Sequence, residues 1–285
     1  MIGRLAILGV GLIGGSLALA LRRAHHVGEV VGAGRREDNL RRAVELGVVD
    51  RYSLDPAEAV AGADVVVLAV PLGAMEALCR RIAPVLGPAT ILTDVGSAKG
   101  AVVQAVRAAF GRLPEGFVPG HPIAGTEQSG VEAAFADLFY HRRVILTPLA
   151  ETGLRALGEV REMWEATGAI VEEMAVDHHD HVLAATSHLP HMLAFALVDS
   201  LARLEDKHEV FRYAAGGFRD FTRIASSDPV MWRDICLANR EALLEMMGRF
   251  RGDLDRLAEA VDSGDGDTLL EIFRRAKAAR DAFAG

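Results

Sequence analysis

The chain has 285 residues, which is enough for one large domain or two ordinary ones. Apolar residues make up 51% and charged residues 25%, as in a globular protein, and this composition excludes a disordered one. The formal net charge of −8 argues against a nucleic-acid partner, which would favour a basic surface. The two cysteines, Cys79 and Cys236, lie far apart without metal-ligand spacing, which is typical of a protein of the reducing cytosol.

The first 23 residues combine a basic residue with an apolar stretch, as a signal peptide does. Their glycines, however, are spaced as in a phosphate-binding loop, and no polar cleavage region follows. We therefore predict a strand, a turn and a helix here. No segment reaches the roughly 18 to 20 uninterrupted apolar residues of a membrane span. We expect a cytoplasmic protein without a membrane partner.

The first half of the chain alternates short apolar runs with helical patterns. Strands are predicted over 4–8, 29–33, 64–70 and 90–95, with helices over 12–24, 36–46, 72–86 and 98–110 between and after them. Apolar runs without alternation are typical of strands buried on both faces. This order predicts a Rossmann-type α/β fold with a doubly wound parallel sheet. Further strands are predicted over 143–148 and 169–174, with a helix over 151–166.

After about residue 173 the pattern becomes helical. Long helices rich in Ala, Leu and Met are predicted over 175–204 and 229–283, with breaks at Pro190, Gly216-Gly217 and Ser263-Gly264. Asp228 followed by Pro229 is a typical helix start. We predict a dinucleotide-binding domain over 1–173 and an all-α substrate and dimerisation domain over 174–285. The apolar character of the helical part favours a homodimer formed through it. The two domains account for the chain, so we expect no third domain.

Three glycines mark a nucleotide-binding turn. GVGLIGG places Gly9, Gly11 and Gly14 at G-x-G-x-x-G spacing, directly after the first strand and at the start of the first helix. Glycines at these positions allow a tight turn, close approach of a pyrophosphate, and close packing of helix on strand. The helix N-terminus offers N–H groups to the phosphates. We expect a nicotinamide cofactor, with contacts also from Leu12, Ile13, Val70 and Pro71.

The end of the second strand bears on the choice of nucleotide. Enzymes that use NAD usually have an acid there, which binds the ribose 2′-hydroxyl. This chain has Gly34 at that position, followed by Arg35 and Arg36. Two guanidinium groups can hold a 2′-phosphate, which favours NADP. Both arginines could instead be solvated at a helix start, which leaves NAD open.

Several polar motifs follow the later strands. DVGSAKG (94–100) and GHPIAGTEQSG (120–130) should line one cleft, because ligands of open α/β sheets bind at the carboxyl ends of the strands. SHLPH (187–191) and FRDFTRIASSDPVMW (218–232) follow in the helical part. Together with GVGLIGGS, these motifs resemble, in order and over nearly the whole chain, the prephenate and arogenate dehydrogenase family.

The resemblance implies an NAD(P)-dependent oxidative decarboxylation without a metal. His121 matches the family's catalytic histidine, and Ser97 matches a residue that hydrogen-bonds the same region and orients it. A neutral imidazole suits the acceptance of a hydroxyl proton because its pKa lies near working pH. We picture His121 on a stiff, bare loop, since the pattern around it is too broken for a core helix.

The resemblance also implies substrate-binding residues. Arg223 matches an arginine that clamps a substrate carboxylate. Glu127, His188, Asp220 and Trp232 match pocket positions, and Asp220 could be supplied by the second subunit of a dimer.

Some interpretations stay open at this point. His178, His179 and His181 resemble a metal cluster, but we expect them to be solvated beside two acids at a helix start. His191 is either structural or functional, and Arg219 could form a salt bridge only.

Two other functions compete with the resemblance. A different β-hydroxyacid-type dehydrogenase would use a lysine base, and residues 175–250 contain only Lys207. A non-enzymatic NADP-sensing protein would not need His121, Ser97 and Arg223 together. The choice between prephenate and arogenate also stays open.

Overall fold

The computed structural model describes residues 1–284, which form two compact units. The first unit is Met1–Arg240, and the second begins at Glu241. The first unit carries every residue to which a catalytic, substrate-binding or cofactor-binding role is assigned above.

A parallel sheet occupies the first part of the chain. Within the described range it has six strands in the order β3-β2-β1-β4-β5-β6, all parallel to their neighbours. This is the strand order of a doubly wound dinucleotide-binding fold. The strands are β1 (Ile2–Leu8), β2 (Val27–Ala33), β3 (Arg51–Ser53), β4 (Val65–Leu68), β5 (Ile91–Asp94) and β6 (Phe117–Val118).

Helices cover the sheet because both of its faces are apolar. In β1, Leu5 and Ile7 belong to one buried cluster, whereas Ala6 and Leu8 belong to another, as the alternation of side chains along a strand requires. The helices are α1 (Leu12–Arg23), α2 (Glu37–Glu45), α3 (Pro56–Val60), α4 (Met75–Ile82) and α5 (Lys99–Phe110). The predicted fold class is thus confirmed. The short elements β3, α3 and β6 were not predicted.

A second, smaller sheet carries the predicted catalytic histidine. It consists, in the part of the chain described, of β7 (Gly120–Pro122), β8 (Arg143–Leu146) and β9 (Ile170–Glu173), with α6 (Leu154–Glu165) between the last two. In the antiparallel pair β7–β8, His121 lies opposite Ile145. The expectation of a bare loop at His121 is therefore wrong: main-chain pairing with β8 holds this residue in a buried strand.

The helical region begins with a continuous but irregular run. It consists of α7 (Val176–Leu183), a π-helical turn over Ala184–His188, and α8 (Leu189–Ala202). Pro190 has no N–H to donate to the preceding turn, so regular α-helical bonding is interrupted there. Such π turns often occur at functional sites, and this one positions His188.

Shorter helices complete the first unit. They are α9 (Lys207–Arg212), α10 (Gly216–Thr222), a 3₁₀ turn over Arg223–Ser226, and α11 (Pro229–Ala238). The Asp228 side chain accepts a hydrogen bond of 2.8 Å from the Met231 N–H, which confirms the predicted helix start. The chain continues into α12 (Arg240–Asp262) and α13 (Gly266–Ala284). The single helix predicted over 229–283 is thus divided at Asn239 as well as at the expected Ser263-Gly264.

One helical run is unusually apolar. Val176–Ala202 is long and apolar enough to cross a membrane by length and composition alone, properties that core helices of other proteins share. Only 28% of its most apolar window is buried within the chain. The predicted domain boundary at 173/174 stays a prediction, since the compact units divide at a different place.

Candidate active site

The glycine-rich turn has the geometry that a pyrophosphate needs. Gly9 has φ +106°, and a Cβ there would lie 2.2 Å from the Ala69 carbonyl oxygen. A Cβ at Gly11 would meet nothing within 4 Å, which leaves open space at the N-terminus of α1. At Gly14 a Cβ would lie 2.5 Å from the Gly9 carbonyl oxygen. The three glycines thus serve the turn, the close approach of a ligand, and helix–strand packing.

A cleft of about 620 Å³ opens at this turn. Its lining includes six of the predicted cofactor contacts, namely Gly9, Gly11, Arg35, Arg36, Val70 and Pro71. Leu12, Ile13 and Gly14 lie in the first turn of α1 and do not line it.

The two arginines at the cleft differ in their partners. Arg36 is exposed and forms a salt bridge of 2.5 Å with Asp38. Arg35 has no ion pair in the described part of the chain. A Cβ at Gly34 would make only ordinary contacts with Leu40, so the absence of an acid there is not imposed by crowding.

A buried ion pair ties the strand of His121 to the main sheet. Asp94, at the end of β5, and Lys99, at the start of α5, are fully buried and paired with each other. Asp94 also accepts hydrogen bonds from the backbone N–H groups of Gly96 (2.7 Å) and Gly120 (3.1 Å). The Lys99 ammonium donates to the Gly120 carbonyl at 2.5 Å. These contacts fix His121 relative to the β5–α5 loop, which carries Ser97.

A chain of hydrogen bonds leads from His121 into the protein. Its Nδ1 lies 2.9 Å from Nε2 of His179, and Nδ1 of His179 lies 2.8 Å from a carboxylate oxygen of Asp180. Asp180 also accepts from the backbone N–H groups of Lys99 (2.8 Å) and Gly100 (2.9 Å) at the start of α5. The expectation that His179 is solvated is wrong, because its side chain is fully buried against His121. His178 and His181 are exposed, as expected.

Burial controls the charges of this group. It lowers the pKa of His121 well below its usual value, and the neighbouring His179, Lys99 and His188 lower it further. Burial also lowers the pKa of His179, against the opposing effect of Asp180. Burial would raise the pKa of Asp180, but hydrogen bonds from His179 and from the α5 backbone outweigh it and lower the pKa. At neutral pH the two histidines are therefore neutral and Asp180 is ionised.

Ser97 is partly buried on the loop before α5. Within residues 1–284 it makes no hydrogen bond to His121, whose Nδ1 partner is His179. The predicted orienting role of Ser97 stays a prediction.

His188 is held in one tautomer by Asn239. The Asn239 amide nitrogen lies 2.7 Å from the Asp180 carbonyl oxygen and 3.0 Å from Nδ1 of His188. Because an amide nitrogen donates, His188 Nδ1 accepts and its Nε2 carries the proton. Burial lowers the pKa of His188 to about 4. Its Nε2 has no hydrogen-bond partner among residues 1–284.

Trp232 presents a second unpaired donor. Its indole nitrogen is buried and has no partner in the described structure, and its ring lies 6.1 Å from that of His188. His191 has a structural role here. Its ring stacks on that of Trp232 with 3.6 Å between the ring centroids, and its Nδ1 donates a hydrogen bond of 2.9 Å to the Ser187 carbonyl oxygen. Unlike the single unpaired indole nitrogen of Trp164 in the core, the donors of His188 and Trp232 lie beside each other, which points to a ligand that supplies acceptors for both.

The predicted clamp, Arg223, forms an ion pair with Glu127, and both side chains are partly exposed. The structure thus brings together two residues that are 96 positions apart in the sequence. Asp220 and Arg219 are exposed on α10. Among residues 1–284, no group of three or more His, Cys, Asp or Glu side chains is placed to hold a metal ion.

Sequence reasoning missed His179, Asp180, Lys99, Asp94 and Asn239. One signal could have indicated His179: it lies four residues before Leu183, and these two are the buried residues of α7. The roles of Lys99 and Asn239 depend on contacts with residues more than 20 positions away, for which the sequence offers no local signal.

Comparisons with known proteins agree with this geometry. The family model described as the nucleotide-binding domain of prephenate dehydrogenase matches residues 17–173, and that of its dimerization domain matches 175–275. A cyclohexadienyl dehydrogenase of Zymomonas mobilis is 42% identical over 280 residues, which are 97% of this chain and 94% of that protein.

Two solved structures extend the comparison. One is the prephenate dehydrogenase of A. aeolicus in complex with hydroxyphenyl propionate and NAD+, with a TM-score of 0.91, 37% identity and 98% of each chain covered. The other is an arogenate dehydrogenase of Synechocystis, with a TM-score of 0.82, 29% identity, and 98% of this chain and 99% of that one covered. Since both family models match and the likeness spans nearly the whole chain, the protein is an oxidoreductase that belongs to the prephenate dehydrogenase family.

Proposed function

We propose that the chain catalyses the nicotinamide-dependent oxidative decarboxylation of prephenate or arogenate in tyrosine biosynthesis. The observation that carries the proposal is the buried, neutral His121 in the same unit as a glycine-built nucleotide cleft. Relatives named cyclohexadienyl, prephenate and arogenate dehydrogenase support it.

The nucleotide cleft fits a dinucleotide by its shape. The open space at Gly11 and the free N–H groups at the start of α1 would hold the pyrophosphate. Val70 and Pro71 would contact the nucleotide further along the cleft. Bound there, the nicotinamide supplies the acceptor for the hydride that leaves C4 of the substrate ring.

His121 is the proposed proton acceptor. Nε2 takes the proton of the C4 hydroxyl as the C–H bond breaks, so that oxygen becomes a carbonyl. The ring carboxylate then leaves as CO2, and the electrons of its bond to the ring make the ring aromatic. The resulting phenolate regains the proton from His121, so the histidine ends neutral. The low pKa of His121 keeps it in the accepting form before each turnover.

Substrate binding is assigned to one ion-paired arginine and to two unpaired donors. Arg223 would clamp a carboxylate in exchange for Glu127, which now pairs with it. The unpaired donors of His188 and Trp232 would bind further oxygens of the substrate. Ser97 remains a proposed contact with the reacting hydroxyl. Asp220 remains a proposed residue of the substrate pocket.

Two substitutions test these assignments. His121→Asn should bind nucleotide normally and lower kcat by roughly two to four orders of magnitude, as expected for a lost general base. Arg223→Ala should instead raise the KM for substrate, with Arg219→Ala as its matched control on the same segment. The absorbance of the reduced nicotinamide that forms, measured with prephenate and with arogenate as substrates, gives both kcat and KM. Wild-type protein that binds nucleotide but oxidises neither compound would support a sensing role instead.

For the cofactor, we infer a preference for NADP. Gly34 removes the acid that would repel a 2′-phosphate, and Arg35 and Arg36 line the cleft beside it. The Arg36–Asp38 ion pair makes Arg35 the more available partner. A charge-assisted contact predicts a preference of roughly ten- to a hundredfold in kcat/KM. It should shrink with added salt, and Gly34→Asp with Arg35→Ala should reverse it. A wild-type preference for NAD would contradict this inference.

We also propose a cytoplasmic homodimer built through a helical substrate domain over 174–285. The description of the matched dimerization domain and the exposed apolar side chains Leu197, Leu270 and Phe273 support the dimer. Sedimentation equilibrium tests it: a monomer at micromolar concentration would contradict the proposal.

A further inference from the structure

We propose that His179 and Asp180 are positioning residues that hold His121 in the Nδ1–H tautomer, which leaves the Nε2 lone pair free to accept the substrate proton. The inference rests on the proposed role of His121 as the proton acceptor. It assigns a function to two residues that are separated from His121 by more than 50 positions and that belong to α7.

The direction of the hydrogen bonds follows from Asp180. Its carboxylate is ionised and can only accept, and one of its oxygens lies 2.8 Å from Nδ1 of His179. His179 must therefore carry a proton on Nδ1. Because His179 is fully buried and its pKa is lowered, it is neutral, so its Nε2 has no proton. The 2.9 Å contact between this Nε2 and Nδ1 of His121 then requires a proton on His121.

The opposite arrangement is disfavoured by charge. A proton on Nε2 of His179, donated to His121, would require His179 to be either a cation or the other tautomer. A cation would be buried next to the Lys99 ammonium. The other tautomer would turn an unprotonated Nδ1 toward the Asp180 carboxylate, so that two lone pairs would face each other at 2.8 Å. The Asp180 carboxylate offsets part of the cost of the cation, but burial outweighs it and the pKa of His179 stays lowered.

This arrangement matters because a neutral imidazole in water prefers the proton on Nε2. In that tautomer the nitrogen proposed to face the substrate would be a donor and could not accept a proton. The bond that the other ring nitrogen makes decides which tautomer is present. The His179–Asp180 pair thus converts a buried histidine into a base. It also places a negative charge behind the imidazolium that forms, while Asp180 itself stays ionised.

A third buried histidine of this site, His188, is held in the opposite tautomer. Asn239 donates to Nδ1 of His188, so His188 presents an Nε2–H donor. Donor and acceptor roles of the two histidines are thus set by different buried partners.

Three variants separate positioning from packing. His179→Leu removes the acceptor for the His121 Nδ1 proton, and we expect kcat to fall by about a hundredfold or more, within the range of ~10²–10⁴ for a general base. His179→Gln offers a side-chain oxygen in the same region and should recover most of kcat. His178→Leu, at the exposed neighbouring position, should leave kcat unchanged. KM and the nucleotide dissociation constant should stay near wild type in all three.

The pH profile is a second readout. The groups that face His121 are His179 of α7, Lys99 of α5, His188 of the π turn, and Asp94 through Gly120. With His179 replaced by leucine, the acid limb of kcat/KM should move, because one of the groups that lowers the pKa of His121 is gone. A loss of packing alone would lower the amount of active enzyme without moving this limb.

The decisive measurement is the tautomer itself. In protein labelled with ¹⁵N-histidine, long-range proton–nitrogen correlations distinguish Nδ1–H from Nε2–H, and His121→Asn identifies the signals of His121. We expect Nδ1–H in wild type and His179→Gln, and Nε2–H in His179→Leu. Observation of Nε2–H in wild type would overturn the inference, even if the leucine variant does not fold. If His121→Asn retains full turnover, the proposed function of His121 fails instead, whatever its tautomer.

Discussion

The nucleotide cleft and the histidine cluster are built by opposite means. The cleft depends on main-chain shape within a short segment, since Gly9, Gly11 and Gly14 fall within six residues and offer no side chains. The cluster depends on side chains from β5, α5, β7, α7 and the end of α11, which the fold collects from across more than 140 positions. A binding site for phosphates can be local, because backbone N–H groups suffice. A base with one defined tautomer needs several partners, each held by a different element.

The largest expected effect tests whether the cluster depends on its buried charges. Lys99→Met leaves the Asp94 carboxylate buried without its cation, and we expect the free energy of unfolding to fall by ~3–5 kcal/mol. Urea denaturation measures it. Arg80→Met is the control, because it breaks an exposed ion pair with Glu76, which is worth under ~1 kcal/mol. Equal losses in the two variants would mean that the Lys99–Asp94 pair behaves as a surface contact.

The next prediction concerns the free energy of unfolding, which should depend on pH through the histidine cluster and not through the nucleotide cleft. The pKa of His188 is about 4 in the folded protein against 6.5 ordinarily, so between these values the unfolded state binds more protons. Stability should therefore fall as pH falls from 6.5 toward 4, by up to about 3 kcal/mol from this group. His121, His179 and His191 act in the same direction.

Urea unfolding at several pH values checks this slope. His188→Leu should flatten it, whereas His178→Leu, at an exposed position, should not. The described lining of the nucleotide cleft contains no histidine, so nucleotide affinity should not follow the slope while the protein stays folded. A pH-independent stability over this interval would contradict the burial of neutral histidines.

A pair of glycine variants sharpens the comparison from the side of the cleft. Gly9→Ala forces φ +106° on a residue with a Cβ and brings that atom 2.2 Å from a carbonyl oxygen, so we expect a loss of at least ~1–3 kcal/mol in stability. Gly11→Ala meets open space and should change stability little, but its methyl group would occupy the proposed pyrophosphate position. Thermal unfolding and nucleotide titration distinguish them. Normal nucleotide affinity in Gly11→Ala would place the phosphates elsewhere.

The smallest effect concerns the edge of the cluster. Trp232→Phe removes the unpaired indole donor together with part of the ring that stacks on His191, and we expect the KM for substrate to rise by up to about tenfold with kcat nearly unchanged, as for one neutral hydrogen bond. Trp164→Phe is the matched control, since its indole nitrogen is also buried without a partner but lies in the core beside Phe139. Equal KM values for the two variants would remove Trp232 from substrate binding.

The same contrast explains what the sequence could predict. The glycine turn, the alternation of strands and helices, and the Asp228 start of α11 each depend on residues close together in the chain. The strand β7 has only three residues and exists because β8, more than 20 positions later, pairs with it. No local pattern predicts such a strand, and the histidine in GHP was therefore expected on a loop.

The histidines of DHHDH show the limit most clearly. His178, His179 and His181 have the same side chain and nearly the same neighbours in sequence, yet only His179 is buried. Of the three, His179 is the one that lies on the face of α7 that packs against α5 and against His121 of β7. The roles of Lys99 and Asn239 were missed for the same reason, since their partners come from distant elements.

The hydrogen bonds of Asp180 make local opening of the core measurable by hydrogen exchange. The first backbone N–H groups of a helix have no acceptor within the helix, and those of Lys99 and Gly100 bond to this carboxylate instead. Their amide hydrogens can exchange with solvent deuterium only when these bonds break, that is, when the Asp180 carboxylate leaves the start of α5. The exchange rates of these two amides therefore report how often Asp180 leaves the position in which it supports His179. In a protein with a stable catalytic core, these rates should be slow for amides in the first turn of a helix.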